Sequence, residues 1–347
     1  MNQALRRALV SFSLLLLLLI FVLIGVGSWV RLSDAGLGCP DWPGCYGYLL
    51  GIPSSLGEIA AATQNFPNSP VDPARAFKEM FHRYLAAGLG LGILLQAVFA
   101  WRSVNRWLLG SSLGLVCLQA WLGMLTVTEL LKPLIVDLHL LGGMATFALQ
   151  LAICYRLQPT THFTSRQALS SRLKQRHMAI GALALLVIIV QIALGGWVSS
   201  NYAALACLGF PQCNGAWWPD QFDWANAFYL PRALGLSADG ELLTPVALTT
   251  IHFVHRLWAL AVLVVVLGFA FSLRRCARLG GNPSLSRHAF WLTLALLLQL
   301  TLGAANVWLN LPLPLAVAHT LGAALLLALC LSAMLANTYN ARSYLNL

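Results

Sequence analysis

The chain has 347 residues, 59% of them hydrophobic and 9% charged, with a formal charge of +10 and a mean hydropathy of +0.75. So few polar side chains cannot coat a soluble domain, and the excess positive charge is explained by its placement along the chain rather than by a nucleic-acid partner.

Crossing a bilayer takes about 20 consecutive apolar residues. Such runs fall near 9–29, 79–100, 107–128, 135–157, 177–199, 246–272, 287–309 and 313–336. Lipid offers backbone groups no partner, so each run is expected to be a helix. The first run follows Arg6 and Arg7. It is too long for a signal peptide and no small-residue cleavage site follows it, so it is expected to be retained. No Arg- and Ser-rich presequence precedes it, which points to a bacterial plasma membrane. Segments 31–78 and 199–248 are the long loops. The second shows no readable motif beyond its cysteine pair. The basic segment 158–176 is a linker.

Charge sets the orientation. With a cytoplasmic N-terminus, that side carries Arg6, Arg7, Arg102, Arg106, Arg156, Arg166, Arg172, Lys174, Arg176, Arg274, Arg275, Arg278, Arg287 and Arg342. None of the 11 acidic residues falls there. Positive charge stays inside during insertion, so both termini are expected to be cytoplasmic and the chain to sit in the inner membrane. Cys39 and Cys45 then share one outer loop, and Cys207 and Cys213 the other. That side is oxidising, which makes Cys39–Cys45 and Cys207–Cys213 plausible disulfides. For Cys39–Cys45 a structural role and a redox or heme-handling role both stay open.

The second half echoes the first. Gly27-Ser28-Trp29-Val30 returns as Gly195-Gly196-Trp197-Val198, and the first cysteine pair returns as the second, each 168 residues on. His82-Arg83 returns 173 residues on as His255-Arg256. Gln119 and Gly123 return as Gln299 and Gly303, and His139 as His319, 180 residues on. The fold class expected is therefore all-α: a polytopic membrane protein of eight transmembrane helices, built as a tandem repeat of two four-helix bundles. Its parts are 1–157, the linker 158–176, and 177–347. An even number of spans per half relates the halves by an axis along the membrane normal.

His82, His139, His255 and His319 each lie a few residues inside the outer end of an even-numbered span, at similar depth. Intramembrane histidines face a bundle interior or a cofactor. Two on opposed helices suit axial ligation of a heme iron, with His82 facing His139 and His255 facing His319. Gly142 and Gly322 would let backbone approach a porphyrin face. His162, His177 and His288 sit among basic residues and are expected to be solvated at the interface.

The halves differ beside the ligands. Glu79 stands three residues before His82 on the same helix face, and His252 takes that place before His255. A carboxylate there can accept or deliver protons at a reacting carbon; a snorkelling, water-facing Glu79 is the plainer reading. Arg83 and Arg256 are candidates for pairing with heme propionates, against ordinary interface anchoring.

These residues resemble the heme A synthase family. The resemblance is carried by Trp29-Val30-Arg31-Leu32-Ser33, Gly36-Leu37-Gly38-Cys39-Pro40-Asp41-Trp42-Pro43, Glu79-Met80-Phe81-His82-Arg83, His139, His255-Arg256 and His319, and it runs from about residue 20 to 335. It implies an eight-helix membrane enzyme that oxidises the C8 methyl of heme O to a formyl group, through a hydroxymethyl intermediate, giving heme A for terminal oxidases. It implies further that the first half holds heme O between His82 and His139 with Glu79 as catalytic carboxylate. The second half would keep a heme b between His255 and His319 for electron transfer. The apolar farnesyl tail of heme O suits a site open to lipid. Heme O synthase and an electron donor are the partners this implies. A bis-His diheme cytochrome b that passes electrons across the membrane or to quinone is the alternative; it needs neither Glu79 nor the cysteine loops. A proton-relaying transporter is a third reading.

Overall fold

The computed structural model describes residues 3–158 and 171–342; His162 and Arg166, on the basic linker, lie outside them. Among the described residues there are helices and no strands, only the isolated bridges Cys45–Tyr48, Cys213–Ala216 and Leu236–Leu242. Eight helices are long and apolar enough to cross a membrane. They are α1 (Gln3–Leu32), α3 (Pro73–Ala100), α4 (Arg106–Thr128), α5 (Pro133–Leu157), α6 (Ser171–Ser200), α8 (Pro245–Gly280), α9 (Pro283–Trp308) and α10 (Leu313–Arg342). Two short helices lie in the long loops: α2 (Leu56–Asn65) and α7 (Trp224–Ala227).

Helix ends follow local chemistry. Proline opens α3, α5, α8 and α9, where its missing N–H costs no hydrogen bond. Asp72 accepts from the amides of Ala74 and Arg75 at 3.0 and 3.1 Å and so caps α3. Helices α1, α4, α6 and α9 all stop at the end that carries the long loops, and all stop in one way. An amide bonds back five residues: Ala35 to Val30, Leu131 to Thr126, Ala203 to Val198 and Leu311 to Asn306. The residue before each of these amides is left-handed: Asp34, Leu130, Tyr202 and Asn310. This is a Schellman closure, which satisfies the last carbonyls and turns the chain sharply. Leucine at 130 carries a Cβ penalty that asparagine at 310 largely escapes.

By packing, α1, α3, α4 and α5 form one group and α6, α8, α9 and α10 another. They meet where α1 touches α10 and where α5 touches α6 and α10. The main core runs across this junction, from Leu16, Ile20, Ile93 and Phe147 to Ile188, Phe269, Leu292 and Leu327. The outer faces are equally apolar, with Leu15, Leu91, Val264 and Phe271 exposed. Lipid tails are as apolar as leucine, so close packing of small residues drives helix association here. A Cβ on Gly181 would lie 2.9 Å from the Phe269 ring.

His177 departs from its expected place. The α6 helix begins at Ser171, two turns before the anticipated start, and this turns the ring inward. It is fully buried, with Nδ1 2.9 Å from the Ser272 hydroxyl and its ring stacked on Phe269 at 5.2 Å. Interfacial solvation does not describe it.

The first long loop folds on the Cys39–Cys45 disulfide, with Tyr46, Ala62, Ala76 and Met80 packed around it. The Asp41 carboxylate accepts from the amides of Tyr46 and Gly47 at 2.6 and 2.7 Å. In the second loop Cys207–Cys213 is likewise joined. There the buried Arg232 donates to the carbonyls of Asn226 and Ala227 at 2.6 and 2.9 Å. Ser55 and Glu58 form a capping box at the start of α2. Hydrogen bonds from the Ser55 and Ser54 amides hold the Glu58 carboxyl down at about 2, from an ordinary 4.5. A depressed acid stabilises its fold above its unfolded value and loses that contribution as pH falls through the folded one. Limited proteolysis within 53–66 is therefore expected to rise between pH 4.5 and 2, and a Glu58→Gln variant should be cut at the same rate throughout that window.

Candidate functional site

His82 on α3 and His139 on α5 face each other with ring centroids 6.5 Å apart and planes at 78°. Two iron–imidazole bonds of about 2.1 Å, with each ring's half-width added, span roughly that distance. His255 on α8 and His319 on α10 stand at the corresponding positions of the second group. Nδ1 of His82, His139 and His319 is buried with no hydrogen-bond partner among the described residues.

Each ring leans on a glycine of a neighbouring helix. A Cβ on Gly27 of α1 would lie 3.0 Å from Cε1 of His82, and one on Gly123 of α4 3.4 Å from that of His139. Gly195 of α6 stands at 3.1 Å from His255 in this sense, and Gly303 of α9 at 3.2 Å from His319. These four glycines leave room for the Cε1 edge of each ring against backbone. Gly142 and Gly322 do something else. A Cβ there would strike the side-chain amides of Gln119 and Gln299, so they make room for glutamines rather than for a macrocycle. The Gln299 amide donates to the His319 carbonyl at 2.9 Å and bridges α9 to α10.

Glu79, one turn above His82, is buried at 7% exposure and paired through Oε1 with Nε of Arg83 at 3.0 Å. It does not snorkel to water. Arg83 also donates from Nη1 to the carbonyls of Asp41, at 2.8 Å, and Gly44. The disulfide loop is thereby fastened over the acid. Nη2 of Arg83 is buried with no acceptor among the described residues. In the second group His252 replaces Glu79, with its Nε2 3.2 Å from Nε of Arg256. Arg256 gives its other nitrogens to the carbonyls of Gly209, Gln212 and Cys207. One arginine thus keeps a free donor at the site and the other is spent on its loop.

The family profile described as COX15-CtaA, cytochrome oxidase assembly protein, matches residues 11–331. The chain belongs to this family. It is 39% identical over 323 residues to the heme A synthase of Shewanella oneidensis, covering 90% of this chain and 92% of that one. It is 28% identical to the heme A synthase of Novosphingobium aromaticivorans, over 92% of each chain. With that of Rhizorhabdus wittichii it shares 25% identity over 93% and 92%. The multi-pass helical membrane architecture of this family member is the one described above.

Three polar groups near the histidines escaped the sequence reading. Asp137, two residues before His139, is buried and pressed against Gly196 of α6, its Oδ1 without a partner among the described residues. Gln191 lies within 3.3 Å of both ring nitrogens of His255; the residue 168 positions earlier is Leu23. Ser28 donates to the Thr320 hydroxyl at 3.1 Å, joining α1 to α10 beside His319. An acid inside an apolar run was the one available signal, at Asp137. The other two are ordinary helix residues whose partners lie far away in sequence.

Proposed function

We propose that this chain is a heme A synthase: it binds heme O and oxidises its C8 methyl to a formyl group, through a hydroxymethyl stage. The observation that carries this reading is the unequal pair of sites. A buried carboxylate stands one helical turn from a histidine that faces a second histidine at metal-bridging distance, and only in the first half. Full-length similarity to proteins named heme A synthase supports it.

In this reading residues 1–157 hold the substrate between His82 and His139, and residues 177–347 hold a resident heme b between His255 and His319. The second heme supplies one-electron transfer when bound. The protein's own part is ligation, orientation and proton handling. His82 and His139 would hold the macrocycle, with Glu79 one helical turn from His82. Glu79 takes the protons released as C–H bonds of the methyl are lost, and Arg83 holds that carboxylate in place. The free Nη2 of Arg83 suits a propionate oxygen; Arg256 serves instead to clamp its loop. His252 fits a half without proton chemistry of its own. The recurring closures at Ala35 and Ala203, and at Leu131 and Leu311, support a tandem origin for the halves.

The charge partition puts the disulfide loops on the oxidising face of a bacterial inner membrane, with both termini cytoplasmic. Heme O synthase is a fitting partner because heme O is insoluble. With water as the source of the oxygen atom, converting the methyl to a formyl group releases four protons and four electrons, so the second heme needs an electron acceptor where the resemblance implied a donor. The test is expression in a host that makes heme O but no heme A, followed by pigment extraction. Heme A should appear with this chain; heme O recovered unaltered would refute the reading.

A further inference from the structure

Heme O carries its long isoprenoid group on pyrrole A and the reacting methyl on the adjacent pyrrole D, so both lie along one edge of the macrocycle. We propose that the seam between α3 and α4 receives that isoprenoid chain, and that seating it there selects which methyl meets Glu79. The proposal rests on the first half being the heme O site.

Among the helix pairs that adjoin within each group, α3 and α4 touch over the least of their length, well below α8 and α9. Below Glu79, small residues continue along its face of α3. Glu79, Ala86, Gly90 and Ala97 recur at spacings of seven, four and seven, which places them on one face of α3. Gly90 lies about 16 Å below Glu79 along the helix axis. A Cβ there would meet nothing within 4 Å. In the second half the residue 173 positions on is Leu263, packed against the main core. At the basic end the seam widens into a cavity of about 590 Å³ lined by Leu94, Ala97, Val98, Trp101 and Leu113, with Arg102 at its rim. The α3 face below the acid is thus small at Gly90, where the matching position in the other half is a leucine packed on the core. A resident heme needs no room there. A substrate that must enter from lipid with a branched apolar tail does.

Moving an alkyl chain from lipid into an apolar seam gains little transfer free energy, so the seam acts on orientation more than on affinity. A macrocycle ligated by two imidazoles, with its propionates toward the loop end, still has two settings, related by a half-turn that exchanges the pyrrole A and pyrrole B edges. Only one brings the C8 methyl to Glu79. The tail in the seam holds that one.

The experiment is paramagnetic proton NMR of the ferric protein in detergent, loaded with heme O, with methyl resonances of the first-half heme assigned by their loss in His82→Ala. Wild-type protein should give one set. Gly90→Leu, which only restores the leucine found at position 263, should give two sets of comparable intensity, and so should Leu94→Trp at the cavity. A single set in both variants would overturn the proposal, as would two sets in the wild type. Phospholipid displaced from the variants with orientation unchanged would assign the seam to a lipid and overturn it equally. If no first-half heme resonance exists to be lost, the reading of the first half falls first, and the seam with it.

Discussion

Replacing Glu79 with glutamine is expected to reduce heme A formation by about 10²–10⁴-fold, the range over which a positioned acid or base contributes, while both hemes stay bound. Glutamine keeps an oxygen for Nε of Arg83, and Arg83 keeps its bonds to the Asp41 and Gly44 carbonyls, so the loop above the site should stay in place. Only proton acceptance is removed. Extracted pigment from the variant should hold heme O where the parent holds heme A. A parallel fall in total heme would mean that Glu79 is an architectural residue. Unchanged heme A would show that another group takes the proton.

Alanine at His82 or at His255 should divide the pigment between the halves. His82→Ala removes one of two rings 6.5 Å apart and leaves the other pair untouched, so heme O should be lost and the second heme kept. His255→Ala should do the reverse, retaining heme O unoxidised because electrons have no resident acceptor. Each change also vacates the space in front of a glycine, Gly27 or Gly195. The control is therefore glycine in place of histidine with imidazole added, which should restore the missing absorption band. Loss of both hemes in either variant would contradict two separate sites.

The spans were legible because lipid imposes one solution on any long apolar run, and all eight appear where hydropathy puts them. Asp72-Pro73 and Thr244-Pro245 also carry cap chemistry at helix starts, and at Asp72 the helix begins six residues before the apolar run near 79–100. The α2 helix was also readable, from Ser55 followed by Glu58, but a 10-residue amphipathic stretch is inconspicuous beside spanning helices of 23 residues and more. The four histidines and Glu79 stood out because ionisable groups inside apolar helices are costly and need a reason. What the sequence concealed was lateral contact. Nothing local distinguishes Gly142, which accommodates Gln119, from Gly123, which backs His139; only the packing of α4 on α5 assigns them. His177 looked interfacial by its basic neighbours, and the turn of helix before it decided otherwise. Arg83 and Arg256 occupy matching positions, yet their difference lies in which loop carbonyls reach them.

The central claim is that four histidines hold two hemes in two bis-imidazole sites, one of them the substrate's. Low-temperature electron paramagnetic resonance of the oxidised protein, purified with heme O supplied, tests it most directly, with near-infrared magnetic circular dichroism on the same sample. The account predicts two low-spin bis-imidazole hemes per chain, one heme b and one bearing the isoprenoid group, the latter missing in His139→Ala. A single heme, or a ligand other than imidazole at either iron, would contradict it.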